Sequence, residues 1–173
     1  MFLKTGFFGM ALASALGVTV AHASVNDHQS KGKSHSLQGT WRASVQFVDG
    51  PYAAVKDLKF LIAFNEGGTL TESANYDENP PVTPAYGIWR KIGRHDFELR
   101  YEYFNTKPPT KFEDVVGGGG WTPGGIGVLK ERVKLSADGD SYTSTITFVL
   151  RDEHGKPIPG SGKAICKGER MRF

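Results

Sequence analysis

The sequence predicts an all-β fold, about eight antiparallel strands joined mostly as hairpins and closed into an up-and-down barrel. Three observations lead there. From Leu37 onward apolar residues recur with a period of two; clusters of Gly, Asp and Asn separate the alternating runs; and no helical periodicity lasts more than a turn or two. A meander of hairpins leaves two unpaired edges, and closure into a barrel removes both. A two-sheet β-sandwich is the alternative, because alternation describes either.

The first strand carries Trp41, Ala43, Val45 and Phe47 on one face, opposite Thr40, Arg42, Ser44 and Gln46. Phe60, Ile62 and Phe64 form the apolar face of the second, which ends at Asn65-Glu66-Gly67-Gly68, residues that accept the positive φ of a hairpin turn. Leu70 to Ser73 returns as the third. Asn75 to Pro84 is a polar loop whose three prolines cannot continue a central strand. Ala85 to Ile92 and Phe97 to Phe104 make the second hairpin around Gly93-Arg94-His95-Asp96. The third runs from Val128 to Leu135, turns at Ser136 to Asp140 and returns through Ser141 to Leu150; after Asp152 to Gly155, Pro157 to Met171 is the last strand.

The ends and the composition set further bounds. Lys4, an apolar stretch from Phe7 to Val20 and the small-x-small site Ala21-His22-Ala23 predict a cleavable signal peptide over residues 1–23. Residues 24–36, with one Val among polar and charged residues, are expected to be a mobile polar tail, leaving 37–173 as one barrel domain. The apolar stretch is short and diluted for a bilayer span, so no membrane insertion is expected after cleavage. The expected location is exported, periplasmic or secreted. The formal charge of +3 is scattered among both signs, which gives no footing for a nucleic-acid partner. Cys166 is the only cysteine, so the fold relies on its core rather than a disulfide, and Cys166 itself reads as a small buried apolar residue.

Gly39-Thr40-Trp41 at the start of the first strand resembles the Gly-x-Trp signature of the lipocalin and avidin (calycin) barrels. The likeness extends through Phe64 to Thr69, Tyr86-Gly87-Ile88-Trp89-Arg90, Ser136 to Asp140 and Gly168-Glu169-Arg170-Met171, and is nearest to small bacterial lipocalin-like proteins of mostly unassigned function. It implies that Arg170, from the last strand, stacks on Trp41 as a structural contact. The chain lacks the disulfides of secreted lipocalins and a clear helix before the last strand, so the likeness carries no ligand with it.

Glu131 shares a face with Leu129, Val133 and Leu135; a carboxylate there needs a partner or a raised pKa, and Arg90, in phase with Tyr86 and Ile88, is a candidate partner. If Val128 points inward instead of Leu129, Glu131 is solvated between Lys130 and Arg132. Glu72 follows Leu70 in alternation and could join that group, although an exposed strand end is its expected home. Tyr86, Tyr101, Tyr103 and Tyr142 fall at apolar-face positions, as core filling or as lining for an aromatic or unsaturated ligand. Phe104 to Gly127 is a long irregular connection in which Trp121, flanked by glycines, is either a lid over the barrel mouth or incidental. No helix follows its glycines, so a phosphate loop is rejected. The histidines lack ligand spacing, and neither metal nor cofactor is expected.

Three functions follow. The first is an exported protein binding a small, largely apolar or aromatic molecule through Tyr86, Arg90, Tyr101, Tyr103, Trp121, Glu131 and Tyr142. The second is an enzyme of the cyclase or isomerase kind, resembling allene oxide cyclase barrels, with Glu131 guiding charge or moving a proton. The third is an interaction module using its outer sheet on an envelope or host protein, which predicts an exposed apolar patch.

Overall fold

The computed structural model describes residues 35–76, 83–117 and 120–173. The predicted signal peptide and residues 24–34 of the predicted tail lie outside the described residues. His35 and Ser36 are held against the barrel: the His35 ring meets His95 edge-on with centroids 4.8 Å apart, and the Ser36 carbonyl accepts from Arg170.

Eight strands form one closed antiparallel barrel in chain order, β1 (Gly39–Phe47), β2 (Leu58–Phe64), β3 (Thr69–Ala74), β4 (Ala85–Lys91), β5 (Asp96–Lys107), β6 (Thr122–Leu135), β7 (Ser141–Arg151) and β8 (Pro157–Arg170). β1 pairs with both β2 and β8, in registers such as Trp41 with Ile62 and Trp41 with Arg170, which settles barrel over sandwich. No helix among the described residues is long and apolar enough to cross a membrane.

The strand faces follow the alternation. Trp41, Ala43, Val45, Phe47, Phe60, Ile62, Phe64, Leu99, Leu129, Val133 and Ile146 are buried in one continuous core. Inward positions on β8 are small, Ala164, Cys166 and Gly168, and the room they leave is taken by large neighbours. Gly168 is paired with Tyr142, and a Cβ added to it would lie 2.1 Å from the Tyr142 ring. Gly127 faces Tyr103 in the same way, at 2.2 Å. These tyrosines lie down over a glycine of the next strand.

Two expectations need correction. The segment from Phe104 to Gly127 is not irregular throughout: β5 continues to Lys107, β6 begins at Thr122, and among the described residues between them is a short helix, α1 (Phe112–Val116). Its glycines hid the strand. Gly125 sits at φ +108, with no space for a Cβ beneath the Arg151 carbonyl, and Pro123 is tolerated because the register shifts at Asn105/Thr106. The second correction is the phase of β4, where Ala85, Gly87 and Trp89 face inward and Tyr86, Ile88 and Arg90 face out. Gly87 is paired with Tyr101, whose backbone and Cβ occupy the space a side chain at 87 would need.

The two ends of the barrel differ. At one end the connections are tight hairpins, and Leu37, Trp41 and Tyr142 plug the interior. Arg170 lies 4.3 Å over the Trp41 ring, as the resemblance implies, and donates to the carbonyls of Gly139, Gln38 and Ser36. The indole N–H of Trp41 donates to the Leu37 carbonyl at 2.7 Å, so the buried indole donor is satisfied. The other end carries the longer connections, including a one-turn 3-10 helix at Pro51–Ala54 that places Tyr52 against Phe47.

Candidate functional site

Among the described residues, two carboxyl groups, Glu72 and Glu131, are buried among apolar side chains of the interior. β6 alternates Leu129, Glu131, Val133, Leu135 into the barrel, so Glu131 is only 2% exposed. Leu129 belongs to the continuous core together with Val133 and Leu135, whereas Val128, though also buried, lies outside it; with Glu131 buried in phase with Leu129, this decides between the two phases left open by the sequence. The Tyr101 hydroxyl, on β5, donates to Glu131 Oε2 at 2.9 Å, and the Ser144 hydroxyl, on β7, donates to Oε1. Burial pushes the Glu131 carboxyl up from 4.5 to about 7 against the lowering effect of these two donors.

Arg90 is not its partner. With β4 in the opposite phase, Arg90 lies outside and pairs with Glu98 at 2.5 Å; Glu98 also takes Arg132. Tyr86 is 64% exposed on the same outer face. Both leave the set of interior candidates, because a β-strand sends alternate residues to opposite faces and Gly87 must face in.

Glu72, on β3, is the second interior carboxyl and is only 6% exposed, which corrects the expected exposed strand end. β3 is a central strand between β2 and β4, and the alternation that buries Leu70 buries Glu72 as well. Its Oε1 has no hydrogen-bond partner. Burial, and then the charge of Glu131, push its carboxyl up to about 8.

Glu72 lines a cavity at the open end of the barrel. Apolar and aromatic side chains surround it, from Phe47 and Phe60 on the first two strands to Tyr103 and Phe148 on β5 and β7, with Tyr52 and Tyr76 from the connecting loops. The cavity volume is about 70 Å³. A cavity of roughly 150 Å³ holds benzene, so this one admits the end of a molecule rather than a whole ring system. The aromatic walls support one another: Tyr52 meets Phe148 with centroids 5.6 Å apart, and Tyr103 stacks on Phe148 at 6.3 Å.

Of the residues predicted for the site, Tyr103 lines this cavity. Tyr101, Glu131 and Tyr142 are buried in the barrel but are not among its lining residues. Burial holds both Tyr101 and Tyr142 well above the ordinary tyrosine pKa, so both keep their protons. Trp121 is half-buried ahead of β6 and is likewise not among the lining residues of this cavity. Cys166 is buried, with its thiol 3.9 Å from the Tyr142 hydroxyl and pushed up to about 12, which makes it inert.

Glu72, Tyr52, Tyr76 and Ser144 were missed as site residues. Ser144 had a signal, being in phase with Tyr142, Ile146 and Phe148, and Tyr76 had a weaker one as a lone aromatic in a polar loop. Among the described residues no group of three His, Cys, Asp or Glu is gathered to hold a metal ion. No family model matches the chain, and no curated protein is similar to it.

Proposed function

We propose that this chain is an exported, soluble binding protein that takes the end of a small, largely apolar or aromatic molecule into the open mouth of a lipocalin-like barrel. The observation that carries this reading is the aromatic cavity with Glu72 in its wall, one oxygen of whose carboxyl is buried without a hydrogen-bond partner. Binding pockets combine apolar walls with few polar groups that fix orientation, and this one has that composition. Asymmetric ends support it too: a plugged end gives rigidity, and an open end gives access. Export rests on the apolar leader and Ala21-His22-Ala23.

Mass spectrometry of small molecules released from natively purified protein tests the reading. A reproducible species is expected from the wild type and is expected to disappear from Ala74→Trp, which fills the cavity. Repeated absence from the wild type, together with failure to bind any apolar probe, contradicts it.

A second reading, proton transfer on an unsaturated molecule, is favoured by the raised carboxyl of Glu72 and by Glu131 beside Tyr101. Glu131 lies off the cavity, so Glu72 is the group that would exchange a proton with the bound molecule. Incubating the recovered molecule with protein in D2O separates the readings: carbon-bound deuterium that vanishes in Glu72→Gln marks an isomerase, and no exchange marks binding alone.

A further inference from the structure

We propose that the molecule entering this cavity is a primary amine on a small apolar chain or ring, with its ammonium group hydrogen-bonded to the Glu72 carboxyl. This rests on the cavity-binding reading above and adds the class of ligand.

Buried carboxylates are ordinarily paired with a cation or fully hydrogen-bonded. Glu131 is provided for by Tyr101 and Ser144, whereas Glu72 Oε1 is buried without a partner in the wall of an accessible cavity. The described lining contains no Lys, Arg or His. The ion pairs of the described residues involve Glu98, Glu102, Glu153 and Asp140, and none reaches either interior carboxyl. Two acids that raise each other's cost of ionising thus share an apolar interior in which the described residues supply no positive charge.

Each class of head group meets this site differently. A carboxylate would add a third acid. A hydroxyl would satisfy Oε1 but bring no charge. An ammonium group supplies both the missing N–H donors and the missing cation. The walls suit it as well, since Tyr52, Tyr76 and Tyr103 line the same cavity as Glu72 and aromatic rings attract cations.

Among the described residues, the titratable and polar groups that face Glu72 or share its cavity are Glu131 from β6, Tyr101 and Tyr103 from β5, Tyr142 from β7, and Tyr52, Tyr76 and Thr83 from the connections; none is basic. No covalent bond to carbon changes. The amine arrives as R–NH3+, Glu72 gives its proton to solvent, and the complex is a carboxylate–ammonium pair, with one proton released.

Calorimetric titration of the purified protein with hexylamine, hexanol and hexanoate is the test, with the chain held constant and the head varied. Hexylamine is expected to bind about tenfold tighter than hexanol, the ratio a charged hydrogen bond gives over a neutral one. Hexanoate is expected to bind weakest. At pH 7, titrations in two buffers of different ionisation enthalpy should show proton release for the amine alone. In Glu72→Gln, hexanol binding should persist, which also verifies that the variant is folded, while the amine preference disappears. Hexanol equal to or tighter than hexylamine, hexanoate tightest, or an amine preference that survives Glu72→Gln overturns the amine assignment and leaves the cavity reading standing. Failure of all three probes overturns both.

Discussion

At the scale of single residues, the two interior acids make stability depend on pH in the direction opposite to ordinary paired carboxylates. Folding raises Glu72 from 4.5 to about 8 and Glu131 from 4.5 to about 7. Between those values the folded chain holds protons that the unfolded chain releases, so the contribution is complete below about pH 4.5 and is lost as pH rises through 7 and 8. Urea unfolding from pH 5 to pH 8 should therefore record a loss on the order of a few kcal/mol, and Glu72→Gln should flatten its upper part. A stability that rises over this range contradicts the burial of the pair. Alternation with Leu129, Val133 and Leu135 made the inward position of Glu131 legible in the sequence, with the opposite phase still open. Its surroundings were not legible, because they come from strands distant in sequence: Tyr101 is 30 residues away and Ser144 is 13. Glu72 was misplaced because a glutamate near a strand end reads as solvated, and its inward phase with Leu70 is decided by packing against strands it cannot reveal by itself.

At the scale of elements, the barrel is fitted together by tyrosine over glycine. Gly168→Ala puts a methyl group 2.1 Å from the Tyr142 ring and is expected to cost about 1–3 kcal/mol in chemical denaturation, the range for overpacking a filled core. The cost should shrink when Tyr142→Leu is present, and a fully additive double mutant would show that the ring is not the obstacle. Gly87→Ala meets the Arg100 carbonyl at 2.2 Å, where backbone cannot give way, and should be harsher with no side-chain rescue. The hairpins around Gly67-Gly68 and Gly139 were legible because turn residues sit between clean alternations. β4 was misread for a physical reason: Tyr86 and Ile88 look like core residues, while the true inward set Ala85, Gly87 and Trp89 includes a glycine whose role is to make room for Tyr101. The start of β6 was misread likewise, since glycine-rich sequence looks like loop unless the residue lying over it is known.

At the scale of the whole molecule, closure between the first and last strands decides the fold, and Arg170 over Trp41 anchors it. Arg170→Met removes three carbonyl hydrogen bonds and the stack on Trp41, and should cost about 2–4 kcal/mol when unfolding is followed by tryptophan fluorescence. A loss under about 1 kcal/mol would mean that the plugged end holds without it. The barrel was legible because eight alternating runs joined by hairpins leave two edges for closure to remove; the opening at one end was not, because it depends on which loops are long and on where Tyr52 and Tyr76 fold back. The outer face competes with this cavity as a place of action, since Tyr86, Ile88 and Phe104 are exposed there beside the Arg100–Glu102 ion pair. Amide NMR of the labelled protein titrated with hexylamine decides between them most directly. Shifts confined to Phe47, Glu72, Ala74, Thr83 and Phe148 are predicted; shifts confined to Tyr86, Ile88 and Phe104, with the cavity residues unmoved, would contradict the account.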